Sequence, residues 1–237
     1  MLLACVSRTE YRSLLAGLES VTLNFGDVLY EAGDAIRHVY FPCTALVSLL
    51  TLADGHLALE VGLIGREGMV GVPLVLGHRA SHVRALVQGT GTALRMTAAR
   101  FRMTIDRSPL LKQELYRYVH RLMAQISQTA ACNRFHVVET RLARWLLMTH
   151  DRVESDKFRL TQEFLGHMLG VRRVGVTMAA QALKRRRLIS YSRGDISVLD
   201  RAGLEAAACR CYVAVNDKRQ RASAGSRREN QSILEGD

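Results

Sequence analysis

The 237-residue sequence predicts an α+β protein in which a β jelly roll, one long helix and a winged helix-turn-helix follow one another along the chain. Three observations carry that prediction. Up to about residue 100, short apolar runs are broken by glycine at close intervals, the texture of a sandwich or jelly roll. From Pro109 the apolar period turns helical and stays so to Cys132. Between Leu160 and Asp200 a helical pattern, a glycine, a second helical pattern with a basic face and a glycine-turned hairpin come in succession. These features set parts at 1–108, 109–133 and 134–213, with a basic, disordered tail over 214–237.

Taken in order, residues 7–17 read as a short lead-in helix. From Val21 strands are expected around residues 24–30, 39–42, 45–52 and 57–64, then 83–88 and 93–96. Asp54-Gly55, between two of the apolar runs, is a strong hairpin signal because both turn residues tolerate positive φ. Gly68, Gly71 and Gly77 punctuate the stretch between the middle strands.

In the long helix, Leu111, Leu115, Tyr118 and Leu122 step by four and three, and Val119 and Ile126 widen the stripe. Such a seam needs a partner, and its near-heptad spacing predicts a second copy of the chain. The other reading of the same stripe is a core helix packed only on its own barrel. A hinge is expected near Asn133. A further amphipathic helix over 135–147 carries Trp145, the only tryptophan, into the core of the last domain.

The stretch from Leu160 onward is the most specific. Thr161 is a good N-cap, Phe164, Leu165, Met168 and Leu169 recur at helical spacing, and Gly170 supplies the stop. The next helix starts near Arg172 and turns Val176, Ala179, Ala180 and Leu183 inward, leaving Arg172, Arg173 and Thr177 on the other face and a basic run from Lys184 to Arg187 at its end. Residues 188–192 and 196–199 flank Arg193-Gly194-Asp195 as a hairpin. From Arg159 to Arg201, nine Lys/Arg stand against three acids, the charge expected of a phosphate-binding surface. The whole chain carries a formal +11, which favours an anionic partner.

LTQEFLGHMLGVRRVGVTMAAQALKRRRLIS (160–190) resembles the helix-turn-helix signature of the Crp/Fnr regulators, and the hairpin after it resembles their wing. Gly-Asp-Val-Leu-Tyr-Glu-Ala-Gly-Asp (26–34) resembles the opening of cyclic-nucleotide-binding barrels. The likeness extends to about Ala214 and is specific in the last third. It implies a homodimer joined through the long helix, bound to a palindromic double-stranded operator, with RNA polymerase as a candidate further partner. Arg173 aligns with the family's guanine-reading arginine. Val174 and Met178 stand at two other base-facing positions, where the family usually carries glutamate and arginine. Thr161, Gln162, Arg172, Lys184 and Arg193 are the implied phosphate contacts, and Thr177 shares the face.

The same likeness places an effector pocket at Val72, Arg79, Ser81 and Ser127. The family's Gly-Glu-Leu turn reads Gly71-Val72-Pro73 here, and its Arg-Ser pair reads Arg79-Ala80. An apolar Val72 cannot accept a ribose hydroxyl, so cyclic AMP is not expected to bind.

Five scattered cysteines argue against a disulfide framework and for a reducing cytoplasm. No cofactor and no metal are expected: Cys209 and Cys211 form half a site with no second pair, and the family's iron–sulfur sensors use clustered N-terminal cysteines that are lacking here. His78 and His82 read as solvated loop histidines. Met1-Leu2-Leu3-Ala4-Cys5 has neither a basic leader nor an apolar region and is not read as a signal peptide. No apolar run is long enough to span a bilayer, so no membrane partner is expected. No nucleophile–base set or phosphate loop points to an enzyme. The second reading is an architectural or interaction protein that binds DNA without a small-molecule effector.

Overall fold

Two antiparallel sheets form the N-terminal half. Strands β1 (Glu19–Leu23), β3 (His38–Pro42) and β7 (Gly91–Thr97) make one sheet in the order β1-β7-β3. Strands β2 (Val28–Tyr30), β4 (Leu46–Ala53), β5 (Leu57–Ile64) and β6 (Arg84–Gly89) make the other in the order β2-β6-β4-β5. The computed structural model describes residue 2 and residues 14–53, 57–153, 155–192 and 194–214. Most of the expected lead-in helix, the Asp54-Gly55 turn, Arg193 and the tail from residue 215 lie outside the described residues.

The four-stranded sheet is buried on both faces. Along β4, Val47 and Leu49 join the barrel core, whereas Leu46 and Leu50 join a second core shared with the C-terminal domain. The period-2 alternation of a strand thus feeds two apolar layers at once, which is why LVSLLTLA reads as an almost continuous apolar run.

Helix α1 (Ala98–Arg107) was not anticipated. The Thr97 hydroxyl caps it by accepting from the Arg100 N–H. Helix α2 (Pro109–Phe135) follows at once, with Ser108 as its cap and Pro109 in its first turn, where proline's missing N–H costs nothing. Its apolar stripe corrects the sequence expectation. Leu111 and Leu115 are 0 % exposed and Leu122 is 7 % exposed, and with Tyr118 and Val119 they belong to the barrel's own core, with Ile126 packed beside it. The Tyr118 hydroxyl donates to the Met69 carbonyl (3.0 Å). A Cβ at Gly68 would lie 2.4 Å from that tyrosine's oxygen, so this close approach requires glycine. The stripe is therefore consumed inside one chain and is not free to meet a second. Helical spacing announced a buried face without saying what buries it.

The break after α2 comes at His136–Val137 rather than at Asn133. The His136 N–H still bonds to the Cys132 carbonyl (3.1 Å), and extended backbone begins there. Helix α3 (Val138–His150) then contributes Leu142, Trp145, Leu146 and Met148 to the core shared with the outer face of the four-stranded sheet. Trp145 lies in that interdomain layer, and its indole N–H donates to Glu60 of β5 (2.9 Å). The remaining elements are β8 (Lys157–Arg159), α4 (Gln162–Leu169), α5 (Arg173–Arg185), β9 (Ile189–Ser192), β10 (Asp195–Val198) and α6 (Arg201–Ala207). The last sheet has the order β8-β10-β9, so the expected hairpin gains a third strand too short to be read from sequence. Among the described residues no helix is long and apolar enough to cross a membrane.

Candidate nucleic-acid interface

The helix-turn-helix is built as its residues dictate. The Thr161 hydroxyl accepts from the Phe164 N–H (3.1 Å) and starts α4. Gly170 ends it in the left-handed region (φ +61), where its N–H returns to the Gly166 and His167 carbonyls. Val176, Ala179, Ala180 and Leu183 are buried, as their spacing requires. That fixes the rotation of α5 and turns Arg173, Val174, Met178, Gln181 and Lys184 outward. Val174 and Met178 are 68 % and 65 % exposed, unusual for such side chains on a face with no partner. Gln181 was not singled out from the sequence, although its i+3 step from Met178 places it on the same stripe.

The structure separates residues that present themselves from residues that hold the geometry. Thr177 is half-buried, and its hydroxyl donates to the Gln162 side-chain carbonyl (2.8 Å), tying α5 to α4. The Lys184 ammonium lies 3.4 Å from the Tyr191 carbonyl, in the crease between α5 and the wing. Arg186 pairs with Glu139 of α3 (3.2 Å), so one member of the basic run is turned to its own domain. Arg187 sits in the left-handed region (φ 57) and ends the helix ahead of β9. Thr161, Gln162, Glu163, Arg173, Tyr191, Ser192 and Gly194 line an open cleft of about 400 Å³ between the α4 start, the α5 start and the wing. Burial raises the Tyr191 phenol above its usual range, and the Arg173 charge works against that rise. Arg172, the N-cap of α5, is exposed, and Arg193 lies outside the described residues.

The expected effector residues do not share one environment. Ser81 is buried and its hydroxyl donates to the Val83 carbonyl (2.8 Å). Tyr30 is bonded to Ser81 and to the Gly71 backbone, and burial pushes its phenol up to about 12. Val72, in a short 3-10 turn (Val72–Leu76), packs on the barrel core. Arg79 is exposed, and Ser127 is exposed on the face of α2 turned away from the barrel. The expectation of no metal-ligand cluster is overturned by geometry: Cys132, His136, Cys209 and Cys211 converge.

One more site was not legible in the sequence. Glu60 is buried beneath α3, where its carboxylate accepts from Trp145 and from the Ser48 hydroxyl (2.7 Å). Burial outweighs those bonds and pushes its carboxyl up to about 7.

Comparison with known proteins agrees with this geometry. Residues 140–207 match the family model of the Crp-like helix-turn-helix domain. FixK2 from Bradyrhizobium japonicum superposes with a TM-score of 0.69 at 12 % identity, covering 81 % of this chain and 98 % of that one. TTHB099, a CRP-family transcriptional regulator from Thermus thermophilus, gives 0.65 at 18 %, covering 79 % and 96 %. CLP from Xanthomonas campestris, described as a c-di-GMP-responsive global regulator, gives 0.62 at 14 %, covering 81 % and 99 %. Curated protein sequences yield no significant match. The chain thus carries a Crp-like helix-turn-helix on the fold of the Crp/Fnr transcription regulators.

Proposed function

We propose that this protein is a homodimeric, sequence-specific DNA-binding transcription regulator of the Crp/Fnr type that acts in the cytoplasm and does not answer to cyclic AMP. The observation that carries the reading is the outward face of α5, with Arg173 at the helix start, two exposed apolar side chains behind it and Lys184 beside the wing. A guanidinium at a helix start can grip guanine O6 and N7 together, whereas an ammonium in a crease acts on phosphate as a point charge. Val174 and Met178 suit thymine methyls and cannot read guanine or cytosine edges. RNA polymerase is a partner by the same likeness. Val72, apolar where a ribose-binding carboxylate would be needed, supports the cyclic AMP part.

Dimerisation is assigned to the other face of α2. Gln113, Tyr116, His120, Met123, Ser127 and Ala130 are all exposed and step by three and four. That is a heptad seam in register with the helix and opposite the barrel-facing stripe. Charging it with Tyr116→Glu and Met123→Glu should give a folded monomer by sedimentation. A wild type already monomeric at micromolar concentration would defeat this assignment.

Selection of duplexes from a random pool by the full chain tests the main reading. A two-fold site with half-sites about one helical turn apart is expected. Arg173→Ala should cost about 1–3 kcal/mol and relax one base pair per half-site. Lys184→Ala should weaken all sequences alike and lower the salt slope by about one. Failure to enrich any sequence would overturn the proposal.

A further inference from the structure

Cys132 lies in the last turn of α2, and His136, four residues on, is the capping residue whose N–H bonds to the Cys132 carbonyl. Cys209 and Cys211 follow α6 and return to that same point from more than seventy residues away. The three sulfurs and the imidazole nitrogen all lie within 4.8 Å of one another. The Cys132 and Cys209 sulfurs are 3.4 Å apart, and the Cys211 sulfur is 3.5 Å from His136 Nδ1. A tetrahedral ion with metal–sulfur bonds of about 2.3 Å and metal–nitrogen bonds of about 2.0–2.1 Å holds its ligands roughly 3.4–3.8 Å apart. The Cys132–Cys209 and Cys211–His136 separations match one small ion, and with all four ligand atoms inside 4.8 Å there is no room for a multi-iron cluster.

We propose that Cys132, His136, Cys209 and Cys211 bind one zinc ion in a closed Cys3His site. Three features set this apart from a chance group of buried thiols. First, the donor set is the one zinc takes in structural sites, four ligands with no open position. Second, the surroundings are short of acceptors. Arg141 and Arg144 are buried beside the cluster, and the Nε of each has no hydrogen-bond partner among the described residues. Three thiolates, one neutral imidazole and one divalent cation sum to a single negative charge, which two guanidiniums complement. Third, the Gln128 side-chain amide donates to the Cys211 sulfur (3.0 Å), the kind of outer contact that orients a metal-bound thiolate. Binding releases one proton from each of the three thiols and involves no electron transfer.

The position gives the ion a task. The α2 ligands sit just before the break at His136–Val137, and the other two sit just after the last helix of the DNA-binding domain. A zinc ion there ties both ends of that domain to the end of α2 and fixes the angle at which it leaves the helix. Removing the ion frees that angle without touching the recognition face.

The test uses the full chain purified under reducing conditions. One equivalent of zinc per chain is expected by elemental analysis. Replacement with cobalt(II) should give the intense visible bands of a tetrahedral ion and the near-ultraviolet thiolate absorption of three sulfurs. Cys209→Ser should lose the ion, Gln128→Ala should weaken binding about 10–100-fold, and Cys43→Ser, remote from the cluster, should change nothing. Hydrogen exchange at residues 132–138 and 208–212 should speed up when a chelator strips the metal. If Cys209→Ser proves insoluble, the wild-type cobalt spectrum decides alone. A substoichiometric adventitious ion, a spectrum without thiolate absorption, or a Cys132–Cys209 disulfide in place of bound metal would each overturn the proposal.

Discussion

The two faces of the four-stranded sheet solve different problems. The inner face meets the barrel with apolar side chains, among them Val47, Leu49, Ile64, Ala85 and Val87. The outer face meets the DNA-binding domain through Leu46, Leu50 and Leu63, but Ser48, Glu60 and Gln88 are buried among them, opposite Trp145 and Arg144. Two polar atoms in this layer, Gln88 Nε2 and Arg144 Nε, have no hydrogen-bond partner among the described residues. An apolar layer gains free energy in proportion to the area it buries, whereas a layer with unpaired polar atoms gives part of that gain back. The inner layer holds the barrel together. The outer layer joins the barrel to the C-terminal domain with buried polar groups among its apolar contacts.

Adjacent residues of β4 test that contrast most directly. Leu49 belongs to the barrel core and Leu50 to the core shared with the C-terminal domain, and both are almost fully buried. Each Leu→Ala change should cost about 2–5 kcal/mol. Leu49→Ala should lower the unfolding midpoint of the whole barrel, followed by circular dichroism. Leu50→Ala should instead split the transition, because Trp145 fluorescence reports the outer layer and should change before the barrel melts. Identical single transitions for both variants would show the two layers to be one cooperative unit.

The next effect is a pH dependence. The Glu60 carboxyl sits at about 7 in the folded protein, above the ordinary 4.5 of an unfolded glutamate. The folded state therefore binds this proton more tightly. Glu60 leaves stability untouched below pH 4.5 and lowers it progressively as pH rises to about 7, after which the loss is constant. The total is on the order of 3 kcal/mol. Glu60→Gln keeps the shape, removes the titration and should flatten stability across that window in chemical denaturation series. A wild type with unchanged stability from about pH 5 to pH 8 would show that the carboxylate is solvated and the layer open.

These layers explain what the sequence disclosed and what it withheld. The helix-turn-helix was legible because its signals are local: Thr161 caps, Gly170 stops, and Val176, Ala179, Ala180 and Leu183 set the rotation of α5. The barrel was legible as a texture of short runs and turns, though α1 was missed, as was β8 of the C-terminal sheet. The partner of each buried face was not legible. The stripe at Leu111, Leu115, Tyr118 and Leu122 obeys the same spacing whether it meets a barrel or a second helix. The exposed face of the same helix, with Gln113, His120 and Ser127, is too polar to attract notice by hydropathy. Glu60 and the Cys132–His136–Cys209–Cys211 group depend on chain folding over long separations, and no spacing rule in one dimension brings them together.

The smallest effect comes from the single indole bond across the outer layer. Trp145→Phe keeps most of the ring and removes the N–H that Glu60 accepts. That bond favours the charged carboxylate, so its loss should push the Glu60 carboxyl further up. At about pH 6, where Glu60 is mostly neutral, the hydrogen-bond part of the cost should be about 1 kcal/mol. At about pH 8 the acceptor is charged and the cost should be larger, because a bond to a charged group is worth about 1.5–3 kcal/mol. The lost packing area contributes equally at both pH values and cancels from the difference. In a Glu60→Gln background the acceptor is neutral throughout, so the pH difference should vanish while the packing cost remains. A double-mutant cycle at the two pH values isolates the coupling. A coupling that is the same at both would mean that Glu60 does not titrate between them, and that the outer layer is no more responsive than the inner one.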